Sequence, residues 1–336
     1  MSFLNPKVLF AIPGSLILLF FMSSANLNTN VKALEKVISS NTSVYENRIK
    51  SSGYTEITNY DEGFIAVGSG GRIDRISVSG KIIESEEYPG ENFNSLISDN
   101  KMIVVAGDKG ILRISTGDGS FRKLNIRSGR DINSLTFFNG KFIAGADKGL
   151  IISGDPRSSF IETQLNLKGN IVSVSSGRAD CYGVTDEGEI IHSTDGINWD
   201  ITDFNLVYAG YYKNCYFTSV LVTENRIAVA GVNIDNLPVV LFSSKGTVWT
   251  DRPLDYDNHL GERTLLDEEP NGLIYDDLGD QFFLICNNGK LLKLPSCSHC
   301  NELEVISSED LEGIIFSDDT MVIVGENFSI RSINIR

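Results

Sequence analysis

FIAVGSGGRIDRIS (64–77) is followed by MIVVAGDKGILRIS (102–115), FIAGADKGLIIS (142–153) and CYGVTDEGEIIHS (181–193). Each stretch is an apolar strand, a short turn ending in Gly and an alternating strand ending in Ser. The turn glycines Gly71, Gly110, Gly149 and Gly188 stand 39 residues apart throughout. Three fainter copies follow: RIAVAGVNIDNLPVVLFS (226–243), QFFLICNNGKLLKL (281–294) and MVIVGENFSIRSI (321–333). Counted at Asn236, Gly289 and Asn327, their gaps are 48, 53 and 38 residues. Asp-Lys-Gly, Asp-Glu-Gly and Asn-Asn-Gly place residues that tolerate positive φ where a tight hairpin demands them. The first strand of each hairpin is nearly all apolar, as expected of a strand covered on both faces.

Beyond each hairpin lies a more polar strand, such as FRKLNI (121–126), FIETQLNL (160–167) or WDITDFNL (199–206). A further apolar strand then leads into the next hairpin, such as INSLTFF (132–138) or NIVSVSS (170–176). Four strands in a repeat of about 40 residues predict an all-β fold, a seven-bladed β-propeller of four-stranded antiparallel blades over residues 43–336. A chain of 336 residues would otherwise suggest two domains. VYENRIKSSGYTEITNY (44–60) aligns with FRKLNIRSGRDINSLTFF (121–138), so an N-terminal strand near 44–49 is expected to complete the last blade. Such closure leaves no exposed sheet edge to recruit other chains.

At the amino terminus VLFAIPGSLILLFFM (8–22) stands behind Lys7 and ahead of Ser23-Ser24-Ala25. Basic, apolar and small segments in that order read as a signal peptide over 1–25, with a spacer over 26–42. Left uncleaved, the same run would act as an anchor, which is the membrane contact the sequence offers. The body is therefore expected to be exported: secreted, periplasmic or lumenal. Hydrophobic residues make up 41% of the chain, which is globular rather than disordered. A formal charge of −15 argues against a general nucleic-acid binder, which needs a basic face.

Export changes the reading of the five cysteines, since oxidising compartments favour disulfides and an odd count leaves one thiol over. Cys297 and Cys300 are the one local pair, and a loop disulfide is the ordinary reading. A zinc site from Cys286, Cys297, His299 and Cys300 has suitable atoms, although adjacent residues rarely ligate one ion together. A redox CxxC usually opens a helix, whereas the flanks here read as extended. Cys181 and Cys215 could also pair across neighbouring blades.

Ser193-Thr-Asp195-Gly196-Ile-Asn-Trp199 is S-x-D-G-x-x-W, the Asp-box or BNR motif. Ser243-Ser-Lys-Gly246-Thr-Val-Trp249 is a decayed copy, and Ser115–Phe121 and Ser153-Gly-Asp155 are fainter ones. The chemistry expected is structural: Asp195 bonds N–H groups of its own turn, Gly196 supplies positive φ, and Trp199 covers the turn. The strand pair followed by this box resembles the photosystem II stability factor-like (Ycf48-like) Asp-box propellers. The resemblance covers residues 44–336 as architecture and 181–199 as motif. It implies a propeller that serves as a non-enzymatic assembly scaffold.

The residues select no enzyme class. Sialidases also carry Asp-boxes, and resemblance to them would require three arginines around a carboxylate plus a Tyr–Glu pair. Arg127, Arg130, Arg178, Arg226 and Arg263 show no spacing that picks out such a triad. His192, His259 and His299 lack a metal-ligand spacing, and His192 reads as a surface or inter-blade residue. No catalytic, cofactor or metal residue is expected. The largest departure from the repeat is 251–280, dense in Asp and Glu. Insertions in propellers sit in loops, often on a binding face. The ordinary reading is a solvated acidic loop; the functional one is a partner or cation contact through Asp255, Asp257, Glu262, Asp267, Glu268 and Glu269. Arg127, Arg130 and Asp131, in the corresponding loop of an earlier blade, should lie on the same face. A basic and an acidic loop on one rim would suit a protein partner. The function expected is thus a protein-binding or assembly scaffold, the alternative being a carbohydrate-active hydrolase or glycan-binding propeller.

Overall fold

The computed structural model describes residues 52–334, apart from 100–101, 116–119, 156–158, 298–299 and 318. Each of the seven hairpins forms the second and third strands of its own antiparallel sheet, from Gly63–Gly68 with Arg72–Ser77 to Thr320–Gly325 with Ser329–Asn334. The chain enters each sheet by an inner strand: Tyr54–Tyr60, Phe93–Ser98, Ile132–Phe138, Ile171–Ser176, Cys215–Val222, Pro270–Asp276 and Leu311–Ser317. These inner strands neighbour one another in turn, and the seventh returns to the first. The fold is the seven-bladed propeller. Six blades have four strands and the seventh has three among the described residues.

The core lies between blades. Tyr54, Ile57 and Phe64 of blade 1 pack on Val322 and Val324 of blade 7, and equivalent layers fill the other junctions. Because both faces of a blade are covered, its second strand is buried along most of its length, as in Ile103–Gly107 and Cys181–Thr185.

Two devices recur at the junctions. The first uses the hairpin turn, where Lys109 and Gly110 (φ 57° and 70°) and Lys148 and Gly149 (φ 54° and 70°) are consecutive left-handed residues. This conformation aims the backbone N–H of the first residue at the next blade. Gly70, Lys109, Lys148 and Asn288 donate to the side-chain oxygens of Asn92, Asp131, Asn170 and Asp310 at 2.7–3.0 Å, each 22 residues ahead. At the seventh junction Asn327 donates likewise, to the carbonyl of Ser52 at 2.7 Å, beside a Gly53–Glu326 bridge.

The second device is a β-bulge near the start of every inner strand, at Thr55, Asn94, Asn133, Val172, Thr218, Asn271 and Glu312. A bulge re-aims the extra side chain. Thr55, Asn94, Asn133, Thr218 and Asn271 use it to donate to the backbone carbonyl that opens the next inner strand, at 2.7–3.0 Å.

The expected strand at 44–49, the signal peptide and the spacer lie outside the described residues. No helix among the described residues is long and apolar enough to cross a membrane. Cys297 and Cys300 form the loop disulfide. Cys181, Cys215 and Cys286 are free and buried, which corrects the Cys181–Cys215 pairing; the disulfide takes Cys297 and Cys300 out of the zinc set, whose His299 lies outside the described residues. The three free cysteines occupy three different inter-blade layers, so strands and side chains keep them apart.

Candidate functional site

The box of blade 4 closes on itself. Asp195 Oδ1 accepts the N–H groups of Ile197 and Asn198 at 2.8 Å each, and Oδ2 accepts Asn198 Nδ2 at 2.7 Å. Ser193 Oγ accepts the Gly196 N–H at 2.8 Å, with Gly196 at φ 72°. The N–H groups of Asn198 and Ile197 hold the Asp195 carboxyl well below the usual carboxylate range. In blade 5, Ser243 Oγ accepts Gly246 N–H at 2.8 Å, but Lys245 replaces the acid. Tyr182 of blade 4 packs on Gly246, where a Cβ would lie 2.5 Å from the phenol oxygen. Trp199 packs against the layer between blades 3 and 4, and Trp249 is buried in the next one.

Arg127, Arg130 and Asp131 occupy the connection from the outer strand of blade 2 to the inner strand of blade 3. Arg130 bonds Gln164 Oε1 at 2.5 Å, the Arg127 N–H reaches Glu162 Oε1 at 3.2 Å, and Asp131 takes the Lys109 N–H. The acidic insertion is the corresponding connection between blades 5 and 6, and so leaves the same end of the ring. Three blades separate the two segments, so they do not adjoin.

The insertion is an ordered element. Residues Asp255–Asp257 and Arg263–Leu265 pair as a hairpin, and Leu254, Tyr256 and Leu266 enter the core between blades 5 and 6. Asn301 fixes it, donating to the carbonyls of Pro253 and Asp255 at 3.0 and 2.9 Å. Arg252 bonds Asn301 and the Cys297 carbonyl at 2.8 and 2.9 Å, which ties the insertion to the disulfide loop. Its acids largely have partners. Arg263 pairs with Asp255 and Asp257, Lys290 pairs with Asp267 and Glu268, and Glu262 accepts from Asn258. A hydrogen bond from Glu268, then Lys290, keeps Asp267 low, while burial pushes Glu268 up. The Glu269 carbonyl accepts the Asn287 N–H at 3.1 Å.

Two features were not read from the sequence. One is a groove of about 210 Å³ between blades 4 and 5, lined by Asp180, Tyr182, His192, Arg226 and Lys245 among others. There His192 Nε2 lies 2.7 Å from Asp180 Oδ1, with the Tyr182 ring 4.6 Å away. Only the alternation around His192 signalled an inter-blade position. The other is at the centre of the ring. The residues after the bulges are Glu56, Ser95, Ser134, Ser173, Ser219, Gly272 and Gly313, small apart from the first. Ser95, Ser134 and Ser173 accept the backbone N–H groups of Leu135, Val174 and Val220 on the next inner strand. Gly313 has no hydroxyl to offer Ile57, and that N–H turns to the Glu56 carboxylate at 3.3 Å. Burial, with the nearby Glu312 charge, raises the Glu56 carboxyl to about 8. Its surface is only partly covered, yet it sits deep among the inner strands, where little solvent relieves the charge.

No known protein family and no curated protein matches this sequence. Among solved structures the ring is similar to the computationally designed protein Ika8, with a TM-score of 0.60 and 11% identity over 84% of this chain and 83% of that one. It is also similar to YCF48 bound to D1 peptide, with a TM-score of 0.62 and 13% identity over 84% and 92% of the two chains. At such identities the likeness is one of fold.

Proposed function

We propose that the chain is an exported, non-enzymatic propeller that acts as a protein-binding or assembly scaffold. One observation carries this reading: its longest departures from the repeat, at 204–214 and 252–269, leave one end of the ring across blades 4 to 6 and are held there by fixed hydrogen bonds. Elaborated loops on a rigid frame are how propellers build binding faces. YCF48, similar in fold, was solved with a peptide bound. The Cys297–Cys300 disulfide supports an oxidising compartment. In this reading Arg127, Arg130 and Asp131 on one side, and Asp255, Asp257, Glu262, Asp267, Glu268 and Glu269 on the other, contact the partner, and Ser193, Asp195, Gly196, Trp199, Ser243, Gly246 and Trp249 build the frame.

A photo-crosslinking residue placed at Arg130 or Glu262 of the intact chain, in its native envelope, tests the proposal. Discrete protein adducts are expected from these positions and not from Ile83 on an outer strand. Adducts of equal strength from Ile83, or none from either loop, would reject it.

A further inference from the structure

Large apolar side chains stand exposed together in one sector of the ring. Leu206 and Val207 lie on the short helix Phe204–Val207 and Tyr211 follows it; Ile234 and Leu237 lie on the hairpin turn of blade 5, and Val248 precedes its outer strand. Leu206 is 74%, Tyr211 86% and Val248 68% exposed. Elsewhere on the outer strands such residues stand in ones or twos, as Ile161 does in blade 3.

Hydrogen bonds make these positions one surface. Ile234 N–H donates to the Asn214 carbonyl at 2.8 Å, and Lys213 pairs with Asp235, so the turn of blade 5 borders the helical excursion. On its other side Tyr208 donates to the Thr247 carbonyl at 3.1 Å and accepts the Trp249 N–H at 3.3 Å, bracketing Val248. Tyr211 is tied to Tyr208 at 2.8 Å. Beneath, the Phe204 ring stacks on Tyr208 and Tyr212 at 4.6 and 5.6 Å and meets Phe217 edge-on. Asn205 clamps the ends of the excursion, bonding Cys215 through both backbone groups and reaching the Glu187 carbonyl. The surface is preformed, so little ordering entropy opposes an occupant. Exposed apolar side chains gathered on neighbouring, fixed segments in this way mark an interaction site.

Its rim is acidic. Glu187 is exposed beside Asn205, and Asp203, Asp235 and Asp251 complete the border. Of the cations near it, Lys168 and Lys213 pair with Asp203 and Asp235, while Lys245 stands exposed in the turn before Val248, away from Glu187. We propose that this sector docks a cationic, apolar-anchored segment of a partner protein, with its apolar side chains over Leu206, Tyr211 and Ile234 and its Lys or Arg groups facing Glu187 and Asp251. The inference rests on the scaffold reading and names the partner's chemistry.

Fluorescence anisotropy with the intact chain tests it, using a labelled peptide with Leu at helical spacing and Lys elsewhere, and a counterpart with Glu in place of Lys. The Lys peptide is expected to bind at least tenfold more tightly than the Glu peptide. Tyr211→Ser and Leu206→Ser should each weaken it at least fivefold, and Glu187→Gln with Asp251→Asn should flatten its salt dependence. Ile161→Ser should leave it unchanged. Tyr211 is so exposed that its replacement tests the surface rather than the fold. Equal binding of both peptides, or affinity indifferent to Tyr211→Ser and to the Glu187/Asp251 change, would overturn the proposal. So would a dimer in sedimentation that Tyr211→Ser dissolves, since the occupant would then be a second copy. Crosslinks from Arg130 or Glu262 that persist in Tyr211→Ser would leave the scaffold reading intact while this one fails.

Discussion

The Asn133 side-chain amide donates to the Asp147 carboxylate of its own blade and to the Ile171 carbonyl of the next, both at 3.0 Å. One bulged residue thus fastens two blades, and Asn94 and Asn271 repeat the arrangement at their own junctions. Val172 occupies the same bulge in blade 4 without an amide to offer.

Replacing Asn133 by Ala should cost about 1–3 kcal/mol, for two lost hydrogen bonds in a part-buried site. The melting temperature should drop by about 2–4 °C per kcal/mol. An unchanged melting curve would show that the bulge amide does not stabilise the junction.

Two turn glycines separate conformational strain from collision. Gly129, at φ 64°, has open space where a Cβ would go, so Gly129→Ala should cost only the left-handed conformation, about 1 kcal/mol. Gly289, at φ 67°, would bring its Cβ within 2.0 Å of the Ser307 carbonyl oxygen. Gly289→Ala should therefore cost about 3 kcal/mol or more. Equal midpoints in urea for the two variants would refute the distinction.

Glu56 makes stability depend on pH in an unusual direction. Its folded carboxyl titrates at about 8 against an ordinary 4.5, so between those values the native state holds a proton that the unfolded chain has released. Stability then falls as pH rises through this window, and the loss is complete above it. Glu56→Gln, which keeps an acceptor for the Ile57 N–H, should flatten that fall and melt higher than wild type at pH 8. Parallel pH profiles for the two proteins would count against the assignment.

Asn301 is 5% exposed and is the main tether of the acidic hairpin. Asn301→Ala should speed amide exchange across residues 253–266 while leaving blades 1 to 3 protected. Uniform protection in both regions would show that the apolar contacts of Leu254, Tyr256 and Leu266 hold the hairpin unaided.

Removing residues 26–50 tests the expectation that the segment near 44–49 supplies an outer strand to the last blade. The truncated chain should melt well below the full one, because Ser329–Asn334 has no outer neighbour among the described residues. An unchanged melting temperature would rule that expectation out.

The hairpins were legible because their chemistry is local. Lys148 and Gly149 adopt consecutive positive φ, and an Asp-Lys-Gly turn between apolar strands announces such a place. The bulges were not legible, since Asn133 and Val172 occupy the same position with different side chains and the shift of register shows only against the paired strand. The insertion read as solvated because Asp and Glu dominate its composition. Its order comes from Leu254, Tyr256, Leu266 and the distant Asn301, whose roles depend on packing. Arg130 and Asp255 share an end of the ring, as their equivalent connections imply. Their separation by three blades was implicit in the blade count, but the partners that occupy them, Gln164 and Arg263, were not.

The hydrogen bonds from Gly70, Lys109, Lys148 and Asn288 each reach 22 residues forward, and this constancy makes them a ruler. Where it holds, the whole span from a hairpin turn to the entry of the next blade keeps one length, even though the connection within it varies. The excursion between blades 4 and 5 and the hairpin between blades 5 and 6 occur where, among the described residues, no hairpin-turn N–H makes such a bond to the next blade, and Asn205 and Asn301 hold those connections instead. The molecule is thereby divided into a gauged part, whose length is set, and an ungauged part, where new sequence can be added without opening the ring.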